Sequence, residues 1–337
     1  MSRKPIIADV ARLAGVSSAT VDRVLNNRGS VAPEKEARVL SAARRLKLDR
    51  NLNRRYSRVL RIAVLIQSAA NPFHEALRAA FASVSRAYAD LNLQFLIHHI
   101  APGDARGIAA AVKDVAERHD GLILSSPDDA RISAAIRQTA KRIPVVALAT
   151  DLPDSGRALF VGPDDRAGGR VAGDLMGRFL GDAGGEIAMI AGLLSVVGQK
   201  AREVGFRAVL AERYPACRLS AVFQSGENAE QAGLLALQAI TDNPRIRGIY
   251  HTTSGASEVV AAIAAARRGR AIVLISHELT AERRALLKAR AIDAIIDQNP
   301  ELEVRAAVEQ MARLLGRMEG APASVTTPVQ IYSPENV

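Results

Sequence analysis

Apolar positions recur along residues 6–28, IIADVARLAGVSSATVDRVLNNR, in two short runs at helical spacing. Ala8, Val10, Ala11 and Leu13 form the first run, and Thr20, Val21, Val24 and Leu25 the second. Ala14-Gly15-Val16 interrupts them. Gly15 has no Cβ and suits the left-handed backbone of a tight turn, and Ser17 stands where a hydroxyl would cap the next helix. The pattern predicts either a helix-turn-helix or an ordinary corner between two helices. A third helix is predicted from Pro33, with Val39, Leu40, Ala43 and Leu46 covering the other two. Residues 47–60, KLDRNLNRRYSRVL, then lose apolar periodicity and carry five basic side chains.

From Leu60 the pattern changes. Short apolar runs at 60–66, 93–98, 121–125, 144–148, 185–190, 218–223, 246–251, 271–276 and 292–296 read as strands. Amphipathic stretches such as 73–90, 104–118, 164–180, 199–212 and 255–267 lie between them. This alternation predicts parallel sheets with helices on both faces. About 230 residues of it exceeds what one sheet usually carries, so two lobes are expected. The pattern therefore predicts an all-α domain, helix-turn-helix if its first corner is one, followed by an α/β core of two doubly wound parallel-sheet lobes.

Charge sharpens the division. Residues 1–61 hold 15 Lys/Arg against 5 Asp/Glu, whereas the other 276 residues hold 30 of each, so the whole net charge of +10 sits at the helix-turn-helix end. That is the footprint of a module that binds a polyanion. The one cysteine, Cys217, excludes an intramolecular disulfide and suits a reducing cytoplasm. No apolar run is long enough to span a membrane, and MSRKPIIADV lacks a signal-peptide core. A cytoplasmic protein without membrane partners is expected.

The stretch DVARLAGVSSATVDRVLNNRG resembles the opening of the lactose-repressor/galactose-repressor family of bacterial transcription regulators at nearly every position. The resemblance implies double-stranded operator DNA and a small sugar-like effector as partners, and a homodimer or higher homo-oligomer. It implies a DNA-binding domain at 1–49, a hinge at 50–60 and an effector-binding, dimerising core at 61–337. That core resembles periplasmic sugar-binding proteins, in which three crossovers join two lobes around a ligand cleft. The crossings fall near Val161-Gly162, Ile295-Ile296 and Pro328. The first lobe then comprises about 61–161 and 296–327, and the second about 162–295 and 328–337. In the family the hinge becomes helical on DNA and inserts a leucine into the minor groove. Here Arg50 replaces the usual proline and Ser57 the leucine, beside Tyr56. Arg54, Arg55 and Arg58 are placed to follow phosphates or enter the minor groove instead, with Tyr56 as a rival wedge.

In the recognition helix, Arg23 is the candidate for reading guanine, since its fork donates two bonds to O6 and N7. Ser17, Thr20, Asn26 and Arg28 suit phosphates. Ser18 and Ala19 occupy the positions at which family members vary to select an operator. Asp22 either accepts from a cytosine amino group or pairs within its own helix. In the core, effector ligands are expected on loops at the C-terminal ends of strands. Asn71-Pro72-Phe73-His74 resembles the Asn-Pro-Phe loop of ribose-type binding proteins, with Phe73 either a stacking face or a core ring. Arg202, in GQKAREVGF, matches the arginine that opens a helix in that group; an ion pair with Glu203 or Glu212 is the alternative. Asp151, Thr253, Ser254, Glu278, Asp297 and Gln298 each follow a predicted strand, and each alone is also readable as a cap or turn residue. Asp164-Asp165 reads as a helix cap. Phe160, Tyr250 and Phe223 are further candidates for sugar stacking, the chain having no Trp.

Enzymatic signals are weak. There is no phosphate-binding loop, Gly192 is a lone glycine, and the six histidines show no metal spacing. No catalytic residue, metal or cofactor is expected. The expected function is an operator-binding regulator controlled by a small polar metabolite. The alternative, a periplasmic solute-binding protein, predicts a signal peptide and no basic helix-turn-helix.

Overall fold

A computed structural model describes residues 6–25, 31–46, 58–68 and 71–337. The chain opens with three helices, α1 (Ile7–Ala14), α2 (Ser18–Leu25) and α3 (Pro33–Arg45). Gly15 ends α1 in the left-handed region at φ +63°, and Ser17 caps α2 by accepting from the Thr20 N–H at 3.2 Å. Val10, Ala11 and Ala14 are buried against Val21 and against Val39, Ala42 and Ala43 of α3. Leu13 and Ala8, expected in that stripe, are exposed. At 100° per residue both fall more than a quarter-turn from the centre of the Val10–Ala11–Ala14 arc. Leu40 likewise does more than cover the first two helices, because it packs on Leu91 and Ala312 of the core.

The first sheet of the core contains β1 (Leu60–Gln67), β2 (Leu93–Ile100), β3 (Gly121–Leu124), β4 (Val145–Leu148) and β5 (Leu159–Pro163). Their connecting helices are α4 (Pro72–Ala87), α5 (Ala105–Arg118) and α6 (Ala130–Thr139). The second sheet contains β6 (Gly185–Ala191), β7 (Cys217–Gln224), β8 (Ile246–His251), β9 (Val273–His277) and β10 (Ala294–Asp297). Between these run α7 (Asp165–Leu180), α8 (Val197–Arg213), α9 (Ala229–Asp242), α10 (Ala256–Ala265) and α11 (Ala281–Lys288). After α12 (Pro300–Leu314), β11 (Val325–Thr327) joins the first sheet beside β5, and β12 (Gln330–Tyr332) joins the second antiparallel to β10. The strand orders are β2-β1-β3-β4-β5-β11 and β7-β6-β8-β9-β10-β12. Both are doubly wound, with the loops at the carboxyl ends of the strands facing a shared cleft.

Alternation along each central strand explains why helices cover both faces. Ile62, Val64 and Ile66 of β1 pack under α4 and α12, while Ala63 and Leu65 pack under α5 and α6. In β6, Ala188 and Ile190 meet α9 and α10, while Ile187, Met189 and Ala191 meet α7 and α8. A strand buried on both sides reads as an unbroken apolar run, which is how these strands stand out in the sequence. The chain passes between lobes after Pro163, after Asp297 and between Thr327 and Gln330. Strands β5, β11 and β12 escape the strand pattern: β5 ends in Gly-Pro, and the others are three residues each.

Helices α7 and α8 approach unusually closely because α7 presents Gly169, Gly173 and Gly177 to its neighbour. A Cβ on Gly169 would lie 2.1 Å from the Arg202 carbonyl oxygen, and one on Gly173 2.4 Å from Val209. Alanine is a better helix former by about 1 kcal/mol, but a backbone oxygen cannot move aside as a flexible side chain can. Gly169→Ala should therefore destabilise the protein by about 1–3 kcal/mol despite its higher helix propensity. An unchanged or higher melting temperature would show that the two helices are free to separate.

Candidate functional site

A cavity of about 80 Å³ lies between the lobes. Gln67 at the end of β1, Asn71 before α4, Ser125 and Ser126 after β3, and Thr150 after β4 line it from the first lobe. From the second come Asp165 at the start of α7, Gln199 and Arg202 on α8, and Glu227 before α9. Thr252, Thr253 and Ser254 follow β8, Glu278 follows β9, Gln298 follows β10, and Arg283 lies on α11. The lobes touch across the cavity. Asn71 Nδ2 donates to Glu227 Oε2 at 3.1 Å, the Gly198 N–H donates to Thr150 Oγ1 at 3.3 Å, and the Asp128 N–H donates to the Ser195 carbonyl at 3.3 Å.

Arg202 is the electrostatic centre. Its Nε donates to Asp165 Oδ1 at 2.7 Å, and its Nη1 lies 3.6 Å from Glu278 Oε1. Burial opposes the guanidinium charge, but Asp165 and then Glu278 outweigh it and raise the arginine pKa. The surface pair with Glu203 or Glu212 does not form. Glu203 instead pairs with Lys200 and Arg207, and Glu212 with Arg170. Burial pushes Glu278 up to about 7, against the opposing pull of Arg202. Gln298 Nε2 donates to Glu278 Oε1 at 2.5 Å, leaving Glu278 Oε2 and Gln298 Oε1 buried with no hydrogen-bond partner. Both atoms are therefore open to a further hydrogen bond. His74, pushed down to about 3 by burial and by His99, is neutral, and its Nδ1 accepts from the Gln67 N–H at 3.3 Å. The remaining Nε2–H is a donor.

The structure gathers Asn71, Phe73, His74, Arg202, Thr253, Ser254, Glu278 and Gln298 around one cavity. Phe73 lines the cavity while packing on the first-lobe core. Asp151 and Asp297 are corrections. Asp151 turns away from the cavity into a bidentate pair with Arg157, and Thr150 takes the place facing the ligand space. Asp297 accepts from the Leu279 and Asn299 N–H groups at 2.9 and 3.1 Å, tying two loops together beside a neighbouring groove. Asp164 caps α7 as expected, but Asp165, read with it as a cap, is a buried cleft residue. Among the aromatic candidates, Tyr250 is stacked on Phe206 beneath the cleft, 4.6 Å between centroids. Phe160 lies under Arg157, and Phe223 packs on the second-lobe core, so none of the three lines the cavity. Glu227, Gln199 and Arg283 carry no sequence signal beyond their polarity.

At the other end of the chain, Ser17, Ser18, Ala19 and Arg23 are exposed, with Thr20 and Asp22 half-buried. Ser17 and Thr20 share a 2.9 Å hydroxyl–hydroxyl bond, so the helix cap already engages both. Asn26, Arg28, Arg54, Arg55, Tyr56 and Ser57 lie outside the described residues.

The raised pKa of Glu278 has a stability consequence with a definite sign. The folded state holds this proton more tightly than the unfolded state, so the contribution is full below pH 4.5 and is lost as pH rises to about 7. Glu278→Gln removes it. In urea unfolding across that window, wild type should lose stability relative to the variant as pH rises. A constant difference between the two would place the carboxyl in water.

Residues 6–51 match the family described as bacterial regulatory proteins, lacI family, and residues 62–319 match the periplasmic binding protein domain. The transcriptional regulator DegA of Bacillus subtilis is 28% identical over 216 residues, covering 62% of this chain and 61% of that protein. The ribose operon repressor of Escherichia coli is 29% identical over 210 residues, covering 60% of each. The chain thus spans about three fifths of the length of these curated relatives. A solute-binding protein of an ABC transporter from Burkholderia graminis, solved with D-arabinose, superposes with a TM-score of 0.76. That likeness covers 82% of this chain and 96% of the other at 20% identity, and it shows the two-lobed fold alone. The chain thus belongs to the periplasmic binding protein domain family over residues 62–319, with a lacI-family helix-turn-helix domain matched at residues 6–51.

Proposed function

We propose that this protein is a repressor that binds double-stranded operator DNA and responds to a compact polyhydroxylated ligand, a sugar or sugar derivative, held between its lobes. The observation that carries the reading is the junction of two parts: a second helix with an exposed face at the basic end of the chain, and a cleft lined mostly by hydrogen-bonding side chains. Two orphaned acceptors on Glu278 and Gln298, the neutral His74 and the Phe73 ring supply what a sugar needs, polar edges and one apolar face. The relatives' names point the same way, two being the ribose operon repressor and a D-ribose/D-allose-binding protein.

Residues 1–49 are the DNA-reading head, 50–60 the hinge and 61–337 the effector core in this reading. The protein acts as a homodimer, so that two recognition helices meet two half-sites of a palindromic operator. Ligand alters DNA affinity only as far as it discriminates between open and closed lobes. Arg23 reads a base, Ser18 and Ala19 face the groove, and Arg54 and Arg55 follow phosphates. Asp151 and Asp297 are no longer assigned to the effector.

The test begins with a duplex selected from a random pool by the purified protein. Arg23→Ala should weaken binding to that duplex by about 1–3 kcal/mol while leaving a scrambled duplex nearly unaffected. Equal losses on both would assign Arg23 to the phosphate backbone. Failure of the pool to converge on any sequence would contradict the repressor reading.

A further inference from the structure

Glu227 stands inside the cleft on the loop between β7 and α9, with Ser254 Oγ donating to its carbonyl at 2.7 Å. Three neutral donors hold its carboxylate: Gln199 Nε2 at 2.7 Å, Asn71 Nδ2 at 3.1 Å and Thr253 Oγ1 at 3.2 Å. Neither amide is free to turn over. Asn71 Oδ1 accepts from the Phe73 N–H at 3.0 Å, and Gln199 Oε1 accepts from the Gly192 N–H at 2.8 Å and the Thr252 hydroxyl at 3.1 Å. The carboxylate also rests on bare backbone, since a Cβ on Gly192 would come within 1.8 Å of its Oε1. Of the cations that line the cleft, Arg202 serves Asp165 and Glu278, while Arg283 Nη2 donates to the Thr253 carbonyl and its Nε is buried without a partner, its charge balanced by Glu278, Glu282 and Glu227 nearby. Among the described residues Glu227 forms no ion pair.

We infer that Glu227 is a charge filter, which confines the cleft to uncharged polyhydroxylated ligands and turns away their carboxylate and phosphate derivatives. The inference rests on the polyol reading of the cleft given above. A ligand hydroxyl can donate to this carboxylate. A ligand anion in the same small cavity meets a fixed like charge, and the Arg283 guanidinium that could offset it is already balanced by Glu278, Glu282 and Glu227. In a partly buried site such a pair separates neutral from anionic ligands by on the order of a hundredfold. The rival arrangement, in which Glu227 swings out and yields its three donors to a ligand anion, makes the opposite prediction.

The experiment is calorimetry on the full chain at one pH and ionic strength. The ligands are aldopentoses, aldohexoses and their alditols, each beside its aldonate and its phosphate ester. In wild type, a neutral member should bind about a hundredfold more tightly than its anionic counterparts. Glu227→Gln should shrink that gap below about tenfold, while Glu227→Asp, which keeps the charge, should preserve it. Melting curves without ligand check that both variants fold. Anions that bind wild type as tightly as the neutral member, or a gap that survives Glu227→Gln, would overturn the filter. If no polyol of any charge binds wild type, the polyol reading itself fails, and the filter with it.

Discussion

The core depends on one buried arginine being held in place. The Arg202 side chain is 8% exposed, and an unpaired guanidinium at such a position is strongly destabilising. Asp165 and Glu278 supply the compensating charge, and each comes from a different element, the start of α7 and the loop after β9. This geometry is available only because α7 and α8 nearly touch: Gly169 meets the Arg202 backbone, and Gly205 meets that of Arg166. Removing one partner of such a buried pair typically costs 3–5 kcal/mol. The ionic cluster therefore sets the floor of the cleft, and the stacked Phe206–Tyr250 pair supports it from below, with the Tyr250 hydroxyl and His277 Nε2 sharing a 2.6 Å hydrogen bond.

Glu303 lies on the first turn of α12, a few residues after the second crossover, and is wholly buried with no hydrogen-bond partner on either oxygen. Burial first, then Glu278 and Asp165, push its pKa well above the ordinary carboxylate value. The lobes are joined by a few hydrogen bonds, Asn71 to Glu227, Gly198 to Thr150 and Asp128 to Ser195, rather than by a continuous apolar interface. Hydrogen bonds that exchange with water contribute only about 0.5–1.5 kcal/mol each. A ligand that replaces one of them can thus shift the balance between open and closed lobes. Because α12 crosses to the first lobe and Ala312 on it packs against Leu40 of the head, such a shift has a physical route to the DNA-binding helices.

Most of the fold is legible in the sequence because two periodicities govern it. The helix-turn-helix shows at helical spacing, and the sandwiched parallel strands show as unbroken apolar runs. The site is only half legible, and the errors share a cause. Successive residues at a strand end or helix start point in different directions, so the correct dipeptide can be found while the wrong member is chosen. Thr150 faces the ligand space and Asp151 turns to Arg157; Asp164 caps α7 while Asp165 turns inward. Gln298 lines the cavity, whereas Asp297 ties loops together. Glu227 is a harder case. Its reach into the cleft depends on a left-handed backbone at φ +64°, following Gly226 at φ +66°, and on contacts with three distant segments. Nothing local in SGENA announces that geometry.

In the proposed function, the cleft and the DNA-binding helices share one free energy. This is tested most directly by measuring both sides of the linkage on the same preparation. One side is the affinity for the selected duplex with and without saturating polyol; the other is the affinity for the polyol with and without saturating duplex. Thermodynamic reciprocity requires the two ratios to be equal, and allosteric coupling of the usual size makes each about 5–150-fold. Equal ratios in that range, in either direction, are the expected result. A duplex affinity unchanged at saturating polyol would separate the cleft from the head and contradict the account.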